Sequence, residues 1–301
     1  MDKNLSISRF VRALRIPFIT ASAFPFIAGS LIAKEVLQLF PFLLGLTACV
    51  STHLGANLIN DYADSKYGAD WQDKKFYNFF GGSKLIQEGS LSLSFYLKLA
   101  IFFFAISFLS IVILTFLFKS LLIIGYYILI LFLGFSYSHR PLAFSYHRLG
   151  EIIIFMLFGP TALMGGYFIQ TQVFPDLRSF MLSLPFGFFT TAILFSNEIP
   201  DRQTDIKSNK FTWASIVSSS KGFIIYLAII FLGYLSIILN IIKGYLSWLS
   251  LSALIFLVLS FKAANILRRY HSDKMMLINS SKLTIAVQTL VGLVIILDIL
   301  L

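Results

Sequence analysis

Residues 37–70 read LQLFPFLLGLTACVSTHLGANLINDYADSKYGAD. The apolar part, Leu37–Ile59, has the length of a membrane-spanning helix, about 17–25 residues. It runs directly into Asn57, Asn60, Asp61 and Asp64. On a helix these four positions fall at i, i+3, i+4 and i+7, which is one face. An apolar stave that ends in a stripe of carboxylates and amides is costly in a membrane unless the stripe faces a polar interior, so the pattern marks function.

The same apolar character fills the rest of the 301 residues. Hydrophobic residues make up 57% and charged residues 13%, against roughly 45–50% and about 25% in soluble domains. Further apolar runs lie at 17–32, 94–118, 121–137, 151–170, 180–195, 223–241, 245–264 and 283–300. With 37–59 they make nine spans, and the expectation is an all-α polytopic membrane protein. Its nine transmembrane helices form a single bundle around a central cavity. Residues 1–301 are read as one domain.

Loop charge supports the count. Nine spans put all but four of the 24 Lys and Arg on the side of the N-terminus and the long loops; the exceptions are Lys34, Lys119, Arg178 and Lys243. Positive charge collects on the cytoplasmic side of membrane proteins. The reading therefore places the N-terminus, Lys3 included, and the acidic segments in the cytoplasm, with the bilayer of a bacterial inner membrane as the expected setting. The net charge of +10 sets topology on this reading, and no nucleic-acid partner is expected. Met1–Arg15 is polar and basic, so no cleavable leader is expected. The single cysteine, Cys49, reads as a small buried hydrophobe.

Acidic residues number 14, and eight of them are Asp61, Asp64, Asp70, Asp73, Glu88, Glu198, Asp201 and Asp205. They sit in or beside two long cytoplasmic segments, 60–93 and 197–222. In the second segment Asn197, Asp201 and Asp205 again share a helical face, and Pro200 is expected to loosen the helix locally. Carboxylates this close repel unless a cation lies between them. Mg²⁺ suits such a surface, because it takes one or two carboxylates and completes its shell with water and substrate phosphate. Lys66, Lys84, Arg140, Arg202, Lys207 and Lys210 interleave with the acids. They supply the donors that hold a diphosphate as leaving-group charge develops.

At these residues the chain resembles the UbiA superfamily of intramembrane prenyltransferases. Asn60-Asp61-x-x-Asp64 is similar to its first motif, and Asp201-x-x-x-Asp205 to its second. Gly68-x-Asp70, Gly81-Gly82-Ser83-Lys84, Tyr137-Ser-His-Arg140-Pro141 and Phe158-Gly159-Pro160 look like the branch that prenylates 1,4-dihydroxy-2-naphthoate. Ser208-Asn209 stands where relatives carry Gly before the lysine.

The resemblance implies that Asp61, Asp64, Asp201 and Asp205 hold Mg²⁺ on a polyprenyl diphosphate. Asn57, Asn60 and Asn197 would support the metals or the phosphate oxygens, and Lys84, Arg140, Arg202 and Lys210 would contact the diphosphate. Asp70 would orient an aromatic acceptor or take its proton. Tyr137 is read either as an interfacial aromatic or as facing the site. The acceptor stays open between 1,4-dihydroxy-2-naphthoate, 4-hydroxybenzoate, homogentisate and others. A cation transporter is the different-class alternative.

Overall fold

The computed structural model describes residues 6–71 and 73–301; Lys3 lies outside them. The chain opens with α1, Ile7–Ala13, and α2, Thr20–Ile32. Then follow α3, Leu39–Tyr67, α4, Leu93–Phe118, and α5, Leu121–Ser138. Gly150–Thr171 forms α6, with a π-helical turn at Leu157–Thr161 around Pro160. The remaining helices are α7, Leu177–Lys207, α8, Gly222–Ile242, α9, Trp248–Arg269, and α10, Lys274–Leu300. Among the described residues the β-structure is one isolated bridge, His147 to Phe211.

Eight of these helices are long and apolar enough to cross a membrane. Residues 7–32 supply a ninth when counted as one span bent by 46° between α1 and the stretch Ile16–Ile32. The bend is where Arg15 takes a left-handed conformation, φ 52°, and turns its side chain inward. Burial separates the staves by role. In α7, 72% of the apolar window is buried, against 22% in α4 and in α5. Helix α7 is therefore the central post, and α4 and α5 give their Phe, Leu and Ile side chains to the lipid.

Close packing in a bilayer depends on small residues, since lipid is as apolar as leucine. Helices α2 and α6 cross where Gly29 meets the Leu163 carbonyl and Gly166 meets the Phe26 carbonyl. A Cβ on either glycine would stand 1.9 or 2.3 Å from the facing oxygen.

Helix ends differ from the sequence reading in three places. Helix α3 continues to Tyr67 and α7 past Pro200 to Lys207, beyond the apolar ends at 59 and 195, so both acidic stripes lie on helices as their spacing predicts. Pro200 removes one backbone donor inside α7, and the helix continues past it to Lys207. The last span begins at Lys274, nine residues before Leu283, because Asp273 caps it through the Met275 and Met276 N–H groups. At the far end of the bundle Lys34 donates to the Ile299 and Leu300 carbonyls at 3.1 and 2.9 Å. Lys274, at the opposite end of α10, lies among the acidic residues. Lys34 and Lys274 thus sit at opposite ends of α10.

Candidate functional site

A cavity of about 340 Å³ opens at the acidic end and is lined by α2, α3, α5, α6 and α7, together with the α3–α4 loop. Both acidic stripes reach it: Asn57, Asn60 and Asp64 from α3, and Asn197, Asp201 and Asp205 from α7. Lys210 joins them, with Nζ 3.5 Å from Asp64 Oδ2 and 3.9 Å from Asp205 Oδ1. Its backbone N–H donates to the Asp205 carbonyl at 2.8 Å, which turns the chain back over the end of α7.

The segment that follows is pinned from the other side. The Arg148 N–H donates to the Phe211 carbonyl at 2.8 Å and the Phe211 N–H to the Tyr146 carbonyl at 3.1 Å. That pairing delivers the Tyr146 hydroxyl to Asp64 Oδ1, at 3.0 Å.

The α3–α4 loop closes the gap between the stripes with two successive glycines at positive φ, Gly81 and Gly82, a conformation that side chains rarely adopt. A Cβ on Gly82 would lie 3.0 Å from Asp70 Oδ2 and 3.4 Å from Asp61 Oδ1; one on Gly81 would lie 3.6 Å from Asp201 Oδ1. Side chains here would crowd the carboxylates. The Ser83 N–H donates to Asp61 Oδ2 at 3.1 Å, and Lys84 Nζ donates to Asp70 Oδ1 at 2.8 Å and to the Asp70 carbonyl at 3.0 Å.

Each acid in this cluster has a basic partner. Arg15 donates to Asp61, which is 1% exposed. Lys84 pairs with Asp70, and Lys210 lies between Asp64 and Asp205. Lys274 bridges Asp73 at 2.8 Å and Asp201 at 3.6 Å. Burial, with the like charges of Asp64 and Asp61, pushes the Asp70 carboxyl up to about 7 against the pull of Lys84. Burial opposes the charge on Lys210, yet Asp205 and Asp64 hold its ammonium well above the ordinary range. Asp73 is also penalised by burial, but Lys274 and the Lys75 N–H keep it below the usual carboxylate value.

Several residues singled out in the sequence are placed elsewhere. Arg140 is exposed and stacks on Tyr67, its guanidinium 5.4 Å from the ring centroid. Arg202 Nε donates to the Ala214 and Val217 carbonyls, both at 3.0 Å, and so holds the segment after α7. Neither lines the cavity: Arg140 sits past the end of α5, and Arg202 is rotated off the face that carries Asp201 and Asp205. Tyr137 does line it, as do Asp70 and Lys84.

Sequence reasoning missed Arg15, Tyr146 and Lys274. In sequence Arg15 and Lys274 read only as loop charge, and a basic residue close to an apolar span is the available signal. Two further carboxyls are buried beside the site, Glu151 and Glu198, and the Oε2 atom of each has no hydrogen-bond partner. Glu151 is 0% exposed and accepts from the Trp213 N–H at 2.5 Å; Glu198 lines the cavity. Trp213 donates from its backbone N–H to Glu151 and from its indole N–H to the Arg148 carbonyl.

Among the described residues no three acidic, histidine or cysteine side chains converge closely enough to hold a metal by themselves. The donor set instead offers carboxylates singly or in pairs around an open mouth. That fits Mg²⁺, which binds through one or two carboxylates plus substrate phosphates rather than in an all-protein cage. The Asn197 side-chain oxygen is buried and has no hydrogen-bond partner, so an unsatisfied oxygen donor already faces the same cavity.

The fold and the site together define a polytopic helical membrane protein in which two aspartate stripes converge at one end of an internal cavity. Residues 22–280 match the family described as UbiA prenyltransferase, and the chain belongs to that family. It is 28% identical over 236 residues to the 1,4-dihydroxy-2-naphthoate octaprenyltransferase of Bacillus subtilis, covering 77% of this chain and 73% of that one. It is 27% identical over 232 residues to UbiA prenyltransferase domain-containing protein 1 of Xenopus tropicalis, covering 75% of this chain and 64% of the relative's length. The human protein of that name is 29% identical over 235 residues, with coverages of 75% and 66%. The match to the latter two therefore spans just under two thirds of their length. The apo structure of a UbiA homolog from Aeropyrum pernix K1 superposes with a TM-score of 0.71 at 17% identity, covering 93% of this chain and 97% of that one. A homolog from Archaeoglobus fulgidus bound to GPP and Mg²⁺ gives 0.54 at 16%, covering 96% and 99%. These two likenesses establish the shared fold.

Proposed function

We propose that this protein transfers a prenyl group from a prenyl diphosphate to an aromatic acceptor, with Mg²⁺ as cofactor. The observation that carries the reading is Lys210 lying between Asp64 of α3 and Asp205 of α7, because it brings the two stripes to one place. Asp61, Asp64, Asp201 and Asp205 would hold the metal, which when bound supplies charge neutralisation for a leaving diphosphate.

The chain's own cations do the rest. Arg15, Lys84, Lys210 and Lys274 sit on carboxylates in this structure and are within reach of phosphate oxygens once those carboxylates take metal. Donors aimed at developing charge in a water-poor site are the strongest contribution an enzyme of this kind makes. Departure of diphosphate leaves an allylic cation in the apolar cavity, where Phe158, Tyr127 and Phe80 stand among the lining residues. The electron-rich acceptor ring attacks it to form the carbon–carbon bond, and the ring regains aromaticity by losing a proton to a base, or carbon dioxide where the attacked carbon carries a carboxylate. Asp70, held near neutrality in its ionisation, is the proposed base.

The favoured acceptor is 1,4-dihydroxy-2-naphthoate, in keeping with the Bacillus subtilis relative and with the sequence features of that branch. The reading treats 1–301 as one domain and turns the acidic end toward the cytoplasm, where the basic loops gather. A cation pathway is the weaker reading, because four basic side chains seated on its acids would block it. The test is purified protein in detergent or nanodiscs with labelled prenyl diphosphates and a panel of acceptors, with and without Mg²⁺. Metal-dependent release of diphosphate with a prenylated product is expected. Metal-independent ion flux without turnover overturns the reading.

A further inference from the structure

We propose that the closed apolar end of the cavity is a length gauge that admits a tail of about four isoprene units, with Phe26 and Ile169 above Gly45 as its stop. The proposal rests on the prenyl diphosphate reading and assigns that site its substrate length.

Three staves give the same depth. Lining residues run from Asn60 to Gly45 on α3, from Ser138 to Ile123 on α5 and from Ile154 to Ile169 on α6. Each stretch covers fifteen residues' rise, about 22 Å at about 1.5 Å per residue. An extended isoprene unit is four carbon–carbon bonds of about 1.5 Å in zigzag, or about 5 Å. Four units fill the depth, with the diphosphate at the carboxylates.

The far end is filled by packed apolar side chains. Phe26, Ile123, Tyr127, Phe168 and Ile169 all line it and are between 2% and 6% exposed. They belong to one apolar cluster, in which the Phe42 ring backs Phe26 at 6.2 Å. Phe26 and Ile169 lie directly over the α3 backbone: a Cβ on Gly45 would stand 2.5 Å from Phe26 Cζ and 2.8 Å from Ile169 Cδ1. Ala48, one turn nearer the carboxylates, also lines the cavity and is 3% exposed. One turn is about 5.4 Å, the length of one isoprene unit, so bulk at Ala48 removes one unit of room.

The test measures thermal stabilisation of the purified protein with Mg²⁺ by geranyl, farnesyl, geranylgeranyl and a longer all-trans polyprenyl diphosphate. Product formation from the same four is followed in parallel. Stabilisation should rise to geranylgeranyl and fall for the longer chain, with relative kcat/KM dropping about tenfold or more at the same point. Ala48→Leu should move the break to farnesyl while geranyl still binds, which shows that the variant is folded. Phe26→Ala should move the break the other way and admit the longer chain.

Stabilisation that keeps rising with length would place the tail's exit through the helix wall and overturn the gauge. So would an Ala48→Leu variant that weakens all four ligands equally. A length profile in stabilisation with no product from any acceptor would leave the gauge standing and count against the transferase reading instead.

Discussion

Asp61 and Asp201 are each seated against a basic partner, Arg15 and Lys274, and each belongs to a different stripe. If the stripes act together, loss of either carboxylate disables the site as a whole. Asp61→Asn and Asp201→Asn are each expected to lower turnover by about 100-fold or more, the scale of losing one preorganised charge-stabilising group. Expression in the membrane fraction and the melting temperature without ligand check that the fold survives. Near wild-type rates in both would sink the site assignment.

Asp70 gives a pH prediction. Its folded-state value of about 7 lies above the ordinary 3.8. The protonated form therefore stabilises the fold at low pH, and that contribution is lost as pH rises through about 7. For a base the sense is reversed: the competent carboxylate accumulates above about 7. The rate is expected to climb through that region and level off, and Asp70→Asn should flatten the limb and cost about 10²-fold or more.

The carboxylates were legible from their spacing alone, since i, i+4 positions on a helix must share a face. Arg15, Tyr146 and Lys274 were not. Their approach depends on the bend before α2, on the pairing of Tyr146 with Phe211, and on the docking of α10, none of which leaves a local pattern.

At the scale of helices, spans were readable because about 18 or more apolar residues in a row have few other uses. How far they run past the apolar stretch was not, because 57–67 and 197–207 combine loop-like composition with helical spacing of their acids. The polar interior that the acidic stripes call for is the cavity, and it explains why those ends stay helical: they have somewhere polar to face. The α2–α6 crossing has a similar dependence. Gly29 and Gly166 read as ordinary membrane glycines, yet each abuts the partner's backbone carbonyl. Backbone cannot swing aside as a side chain does, so Gly166→Val must push α2 and α6 apart. A loss of about 1–3 kcal/mol or more is expected, the usual scale of overpacking, and is checked by the unfolding midpoint in detergent. Because α2 also carries Ser22 and Phe26 into the cavity, the same variant should weaken prenyl diphosphate binding. An unchanged midpoint would show that the crossing is looser than these contacts imply.

For the molecule as a whole, the question is which way the bundle sits. Twenty of the 24 Lys and Arg lie at the end that holds the carboxylates on the nine-span reading, and four at the other. Translocating basic loops is disfavoured, so the acidic mouth is expected on the cytoplasmic side. The single cysteine makes this testable. Cys49 lies inside the bundle, its thiol 3.5 Å from the Ser22 carbonyl, and Cys49→Ala leaves a thiol-free background. In that background Lys66→Cys and Lys119→Cys place one thiol at each end, both at exposed positions. A membrane-impermeant maleimide added to intact cells should label position 119 and spare position 66, and inside-out vesicles should reverse the pattern. The orientation is tied to the chemistry, because a water-soluble diphosphate head group made in the cytoplasm reaches only a mouth that opens there. Labelling of position 66 from outside would reverse the topology and require the substrate to arrive from the other face.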